Sequence, residues 1–165
     1  MPLTSSHKGT YALYLQLSCT KIITIGKRGQ FKFPKGYYLY TGSALGNGGL
    51  LRRLDRHLYG SEICFWHIDY LRKHAEVLGF FYLINDHNFE CQWGQAAAEL
   101  PGAYIPVRGF GSSDCRQCRA HLIAFPFFDS SSDQSMGCEN LFEIIRYTFA
   151  KSTTRPREEI KCSRS

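Results

Sequence analysis

The sequence predicts an α+β domain: a small, mainly antiparallel sheet flanked by helices, with one further helix near the C-terminal end. Three observations carry that prediction. Runs rich in aromatic and β-branched residues recur at 11–17, 21–25 and 37–41, each bounded by glycine, proline or small polar residues. Leu50, Leu51, Leu54 and Leu58 repeat at helical spacing, within an arc of about 100°. The apolar run Val77 to Ile84 then precedes a second helically spaced set, Phe89, Trp93, Ala96, Ala97 and Leu100.

Taken in order, Tyr11 to Leu17 reads as a first strand and Lys21 to Ile25 as its hairpin partner, joined through Ser18 and Thr20. Turns follow at Gly26–Gly29 and Phe33–Gly36, and Tyr37 to Thr41 is a short aromatic strand. Gly42 to Gly49 is too rich in glycine to hold a helix, so it reads as a loop. Helices are expected at Leu50–Tyr59, Phe65–His74 and Phe89–Leu100, with a buried strand at Val77–Ile84 between the last two. Pro101 to Cys118 reads as loop, and His121 to Phe128 as an edge strand because Pro126 interrupts it. The expected organisation is one domain over 1–128, a Ser-rich linker at 129–138, a helix at 139–151 and a flexible tail at 152–165.

The charge is unevenly spread. Residues 1–60 hold nine Lys/Arg and one acid, 9 − 1 = +8, while the remainder holds eleven against thirteen, 11 − 13 = −2. A basic first third suits a polyanionic partner, because each neutralised phosphate releases a counterion; it equally suits a solvated basic face. No apolar run reaches the roughly 20 residues of a membrane span. The stretch MPLTSSHKGT lacks the apolar core of a signal peptide, so a cytoplasmic protein is expected. Seven cysteines are an odd number, and with no secretory signal reduced thiols are expected in place of a disulfide framework.

Arg53 and His57 lie four residues apart, at the rim of the leucine arc, where packing can aim them. Arg52, Asp55, Arg56 and Tyr59 take the outward side. Around this helix stand Gly9-Thr10-Tyr11 on the first strand, Tyr40-Thr41-Gly42 on the third and Glu90 at the start of a later helix. That order resembles the GIY-YIG nuclease superfamily. Within it, Gly36–Ala44, Trp66–Leu71, Phe89–Cys91 and Gly109–Cys115 resemble the Uri-type branch, and the likeness covers roughly residues 9 to 125.

The resemblance implies metal-dependent hydrolysis of phosphodiester bonds, in DNA more than RNA, with a repair-related or structure-specific substrate. It assigns Tyr11 to act as, or help orient, the general base, Arg53 as phosphate clamp, His57 and Tyr40 as supports for proton transfer or orientation, and Glu90 as ligand to one Mg²⁺ or Mn²⁺. A phenol is a weak base at neutral pH, so positive charge from Arg53 is expected to favour the phenolate. Gly42, Ser43, Arg52, Arg56, His67, Ser112 and Ser113 are the further substrate contacts expected. Singly, each residue has a plainer reading: the tyrosines as strand aromatics, Glu90 as an acid favoured in a first helical turn, and His67 with Asp69 as fixing a helix start.

Cys115, Cys118 and His121 offer three ligands for zinc. A closed structural site needs four, and Cys91, Cys64 or His67 joins only where the fold brings it near. The functional alternatives to a nuclease are a non-catalytic nucleic-acid-binding module with the same basic face, and a zinc-stabilised interaction domain.

Overall fold

The computed structural model describes residues 3–60, 62–113, 115, 117–127, 138–153 and 160–164. Strands β1 (Gly9–Leu17), β4 (Gly36–Ser43), β5 (Glu76–Ile84), β6 (Leu122–Pro126) and β7 (Lys161–Arg164) form a five-stranded sheet in the order β6-β4-β1-β5-β7. Every pairing is antiparallel. Strands β2 (Lys21–Thr24) and β3 (Gln30–Phe33) form a separate hairpin around a 3₁₀ turn at Gly26–Arg28. Helices are α1 (Gly49–Tyr59), α2 (His67–Arg72), α3 (Glu90–Ala98) and α4 (Cys138–Ser152). The α+β class is as expected.

β1 is central and buried on both faces, which explains its near-continuous apolar sequence. Tyr11, Leu13, Leu15 and Leu17 point to one side, where Leu50 and Leu54 of α1, Ile68 and Leu71 of α2 and Ile23 and Phe33 of the hairpin cover them. Ala12 and Tyr14 point to the other, beneath Trp93 and Ala97 of α3 and Phe142, Ile145 and Phe149 of α4. Trp93 and Phe149 stack at 4.2 Å between ring centroids. Residues 139–151, expected as a separate helix, therefore belong to the same core: α4 closes the second face of the sheet.

Other expectations need correction. β2 does not pair with β1, because β4 and β5 already fill both ladders of β1; β2 pairs with β3. β4 runs on to Ser43, two residues into the expected loop, and α2 is shorter than the span 65–74. The expected tail at 152–165 contains β7, which hydrogen-bonds along the free edge of β5, where main-chain bonding serves even a polar sequence. The expected linker lies, up to residue 137, outside the described residues. Among the described residues no helix is long and apolar enough to cross a membrane.

Candidate functional site

A cleft of about 670 Å³ opens where the start of β1, the end of β4, α1 and the first turn of α3 meet. Tyr11, Tyr40, Arg53, Trp66, Glu90 and His121 line it, as do Gly42 and Ser43. Residues far apart in sequence, Tyr11, Tyr40, Arg53 and Glu90, thus share one space. Thr10 helps set this arrangement: its Oγ1 accepts the Phe89 amide at 3.0 Å and ties the start of α3 to the start of β1. Asn88 Oδ1 accepts the amide of Glu90 at 2.9 Å, completing the turn that presents the carboxylate.

His57 lies beneath the cleft instead of lining it. It is 1% exposed, and its Nε2 is 2.9 Å from Tyr11 Oη. Burial lowers its pKa to about 4; Asp69 opposes that shift, while Arg53, Arg56 and Arg72 reinforce it. The ring is therefore neutral at pH 7. Arg72 fixes it further by donating to the His57 and Leu58 carbonyls at the end of α1.

Arg53 acts on Tyr11 in the expected direction, favouring the phenolate, but does not carry the balance. Burial pushes the Tyr11 pKa well up, and Glu90 and Asp69 add to it; the guanidinium of Arg53 pulls the other way and loses. Tyr40 is raised for the same first reason, with Tyr11 and Glu90 adding to it. Both phenols are protonated at neutral pH. Desolvation wins over one nearby charge because both rings are shut into the core layer.

Arg53 reaches over Trp66, its guanidinium carbon 4.1 Å from the ring centroid, and Arg56 stacks on the same ring at 4.8 Å. Arg56 is not turned out to solvent as expected. It donates to Asp69 Oδ2 at 2.8 Å, and the same oxygen accepts the amides of Phe65 and Trp66. Burial alone would raise the Asp69 pKa, but the Arg56 bond and those two amides outweigh it and hold it below the ordinary carboxylate range. Asp69 thus fixes the start of α2 and Arg56 together. Arg52, Arg53, Arg56 and Trp66 line an adjoining groove of about 390 Å³.

Other expected contacts fall elsewhere. His67 accepts the Gly111 amide at its Nδ1 (3.0 Å), so it supports the loop packed on Tyr40. Ser112 is buried and Ser113 exposed, and neither lines the cleft, because the turn at 109–112 folds the Ser112 side chain inward. Arg28 clamps that turn from the β2–β3 hairpin, donating to the Arg108 and Gly109 carbonyls at 2.9 and 2.8 Å. Asp114 lies outside the described residues.

On the α3 side of the cleft, Cys91, Cys115, Cys118 and His121 bring their ligand atoms within 4.8 Å of one another. This Cys₃His group could hold a metal such as zinc. Cys91 Sγ is 3.2 Å from Cys115 Sγ and 3.8 Å from His121 Nε2. The sulfurs of Cys91 and Cys118 are also drawn together, a pairing that reduced thiols gathered on one ion or a disulfide would each produce. Burial opposes a Cys115 thiolate, but backbone amides of Gln117 and Cys118 and the neighbouring His121 outweigh it and lower the thiol pKa. Glu90 Oε1 lies 2.7 Å from His121 Nδ1, a close charge contact that is off the N–H direction.

Sequence reasoning missed Trp66 as the platform for two arginines, and it left the fourth ligand open among three residues. Cys91 carried a signal in its place directly after Glu90, at the start of α3. No curated protein and no solved structure matches the chain. The family model "Domain of unknown function DUF123" matches residues 10–144. The chain belongs to that family.

Proposed function

We propose that this protein is a divalent-metal-dependent endonuclease of the GIY-YIG type that hydrolyses phosphodiester bonds in DNA. The observation that carries the reading is one cleft holding Tyr11, backed by His57, together with Arg53 and Glu90. Such hydrolysis needs an activated water, neutralisation of charge at the phosphate and help for the leaving oxygen.

The phenol and the imidazole act as a pair. With both neutral, the Tyr11 hydroxyl donates to His57 Nε2. As Oη takes a proton from the attacking water, its own proton passes to Nε2, and the pair takes up one proton without forming a free phenolate. Water oxygen bonds to phosphorus and the bond from phosphorus to the leaving oxygen breaks, with a solvent proton completing the leaving hydroxyl. Arg53 is suited to bind two non-bridging oxygens at once through its planar fork. Trp66 lies against that guanidinium, and Tyr40 packs beside His57.

Glu90 meets the minimal requirement for Mg²⁺ or Mn²⁺. His121 engages one carboxylate oxygen, and the other suits a hard cation that keeps most of its waters and takes substrate phosphate. When bound, such an ion supplies Lewis-acid neutralisation of the phosphate charge. The thiolate-rich quartet suits a softer ion, zinc.

A second reading is a non-cleaving nucleic-acid-binding module. It is favoured by the Arg52, Arg56 and Trp66 groove, which serves binding whether or not a bond is cut. Incubating the protein with plasmid and branched DNA, with Mg²⁺ or Mn²⁺ and then with chelator, separates the two. Metal-dependent strand cleavage supports the first reading. Salt-sensitive binding without product supports the second.

A further inference from the structure

We infer that Cys91, Cys115, Cys118 and His121 form a closed structural zinc site whose histidine holds Glu90 in position in the cleft. The site is assembled from two places. Cys91 comes from the first turn of α3, while the other three ligands come from the segment leading into β6. An ion bound there would staple the helix carrying Glu90 to the segment leading into β6.

The donor set selects the metal. Three sulfurs and an imidazole suit zinc and exclude the hard cations that prefer oxygen. The ligand atoms are also gathered about one point, with the sulfurs needing only to spread to admit an ion. Ligands about 2.3 Å from a tetrahedral ion stand roughly 3.8 Å apart, and these four lie within 4.8 Å of one another. With all four positions filled by protein, no vacancy remains for water or substrate, which marks a structural role.

A disulfide between Cys91 and Cys118 accounts for only two of the four. It leaves Cys115 and His121, at 3.2 and 3.8 Å from Cys91 Sγ, gathered for no purpose. Zinc uses all of them.

His121 links this site to the cleft. Its Nε2 faces the sulfurs, and its Nδ1 lies 2.7 Å from Glu90 Oε1. Coordination through Nε2 obliges the neutral ring to carry its proton on Nδ1, next to the carboxylate. Once a small turn of the carboxylate brings it into line with that N–H, the pair makes the carboxylate–histidine–zinc arrangement, in which the outer acid orients the ring and strengthens it as a ligand. Glu90 is accordingly a positioning residue for the zinc site. In return the metal fixes the carboxylate at the cleft, whether or not DNA is cleaved there.

The test needs no nuclease activity. The full chain, purified anaerobically without added thiol reductant, is assayed for zinc by mass spectrometry and for thiols in denaturant. One zinc per chain and titration of all seven cysteines are expected. Absence of zinc overturns the site, and titration of only five thiols (7 − 2 = 5) assigns the Cys91–Cys118 pair as a disulfide. Cys115→Ser is expected to lose the metal and Cys64→Ser to keep it. Should Cys115→Ser fail to fold, wild type loaded with Co²⁺ decides: thiolate-to-metal charge-transfer bands support the site, and their absence overturns it. Glu90→Gln, measured by competition with a chelator, is expected to bind zinc about 10–100-fold more weakly. Unchanged affinity in that variant overturns the link from His121 to Glu90.

Discussion

Tyr11 stands opposite Gly42 in the β1–β4 ladder, and its ring fills the space a side chain at 42 would take. A Cβ there would meet the Tyr11 Cζ and hydroxyl at 2.5 Å. One motif's glycine is therefore the seat of the other motif's tyrosine, which explains why the two tripeptides lie on adjacent antiparallel strands.

Gly42→Ala tests that seat. The ring has to move, and overpacking of this kind typically costs about 1–3 kcal/mol. Urea unfolding is expected to show a loss in that range. DNA cleavage should fall in step with displacement of the phenol from His57.

His57 gives a pH dependence. The unfolded chain, with His57 near its ordinary 6.5, takes up a proton that the folded chain refuses until about pH 4. The contribution is therefore complete above 6.5 and is lost as pH falls through 4, amounting to at most about 3 kcal/mol. Wild type should lose more stability across that window than His57→Gln does, when both are unfolded in urea at a series of pH values. Parallel curves would contradict the buried neutral ring.

Arg53 and Arg52 should separate chemistry from binding. Arg53→Ala is expected to lower the cleavage rate about 10²–10³-fold, the usual effect of losing one charge-stabilising donor. Arg53→Lys should not restore it, because an ammonium lacks the planar fork and the stacking on Trp66. Arg52→Ala should weaken DNA binding and flatten its salt dependence, with little change in the rate at saturation.

Asp69→Ala should unfold the entrance to α2. Its carboxylate holds Arg56 and two backbone amides, and breaking a buried, hydrogen-bonded pair costs about 3 kcal/mol. A thermal or urea transition measures that loss, and Asp69→Asn should lose less because its amide oxygen still accepts a bond.

The sheet and most helices were legible where the signal is local. The aromatic and apolar run of β1, the leucine stripe of α1 and the apolar run of β5 each fix an element without help from elsewhere. Pairing is not local. β2 looked like the partner of β1 because it comes next in sequence, yet β1 is the central strand and already has two neighbours. β7, Lys161-Cys-Ser-Arg164, carries no apolar pattern because an edge strand can be held by main-chain bonds alone.

At the cleft, residue types and their order pointed to Tyr11, Tyr40, Arg53 and Glu90, which do share one space. The protonation of Tyr11 was not legible, since it depends on how deeply the ring is buried and no sequence spacing reports that. Nor was the choice of Cys91 over Cys64, which rests on how α3 packs against the chain before β6.

The most direct test is single-turnover cleavage of DNA with Mg²⁺ or Mn²⁺, at protein concentrations that saturate binding, comparing wild type with Tyr11→Phe. Wild type should cut, and loss of the phenolic hydroxyl should slow the bond-breaking step about 10²–10⁴-fold while DNA affinity stays the same. Equal rates for the two proteins, or no cutting by wild type under any of these conditions, would contradict hydrolysis in this cleft.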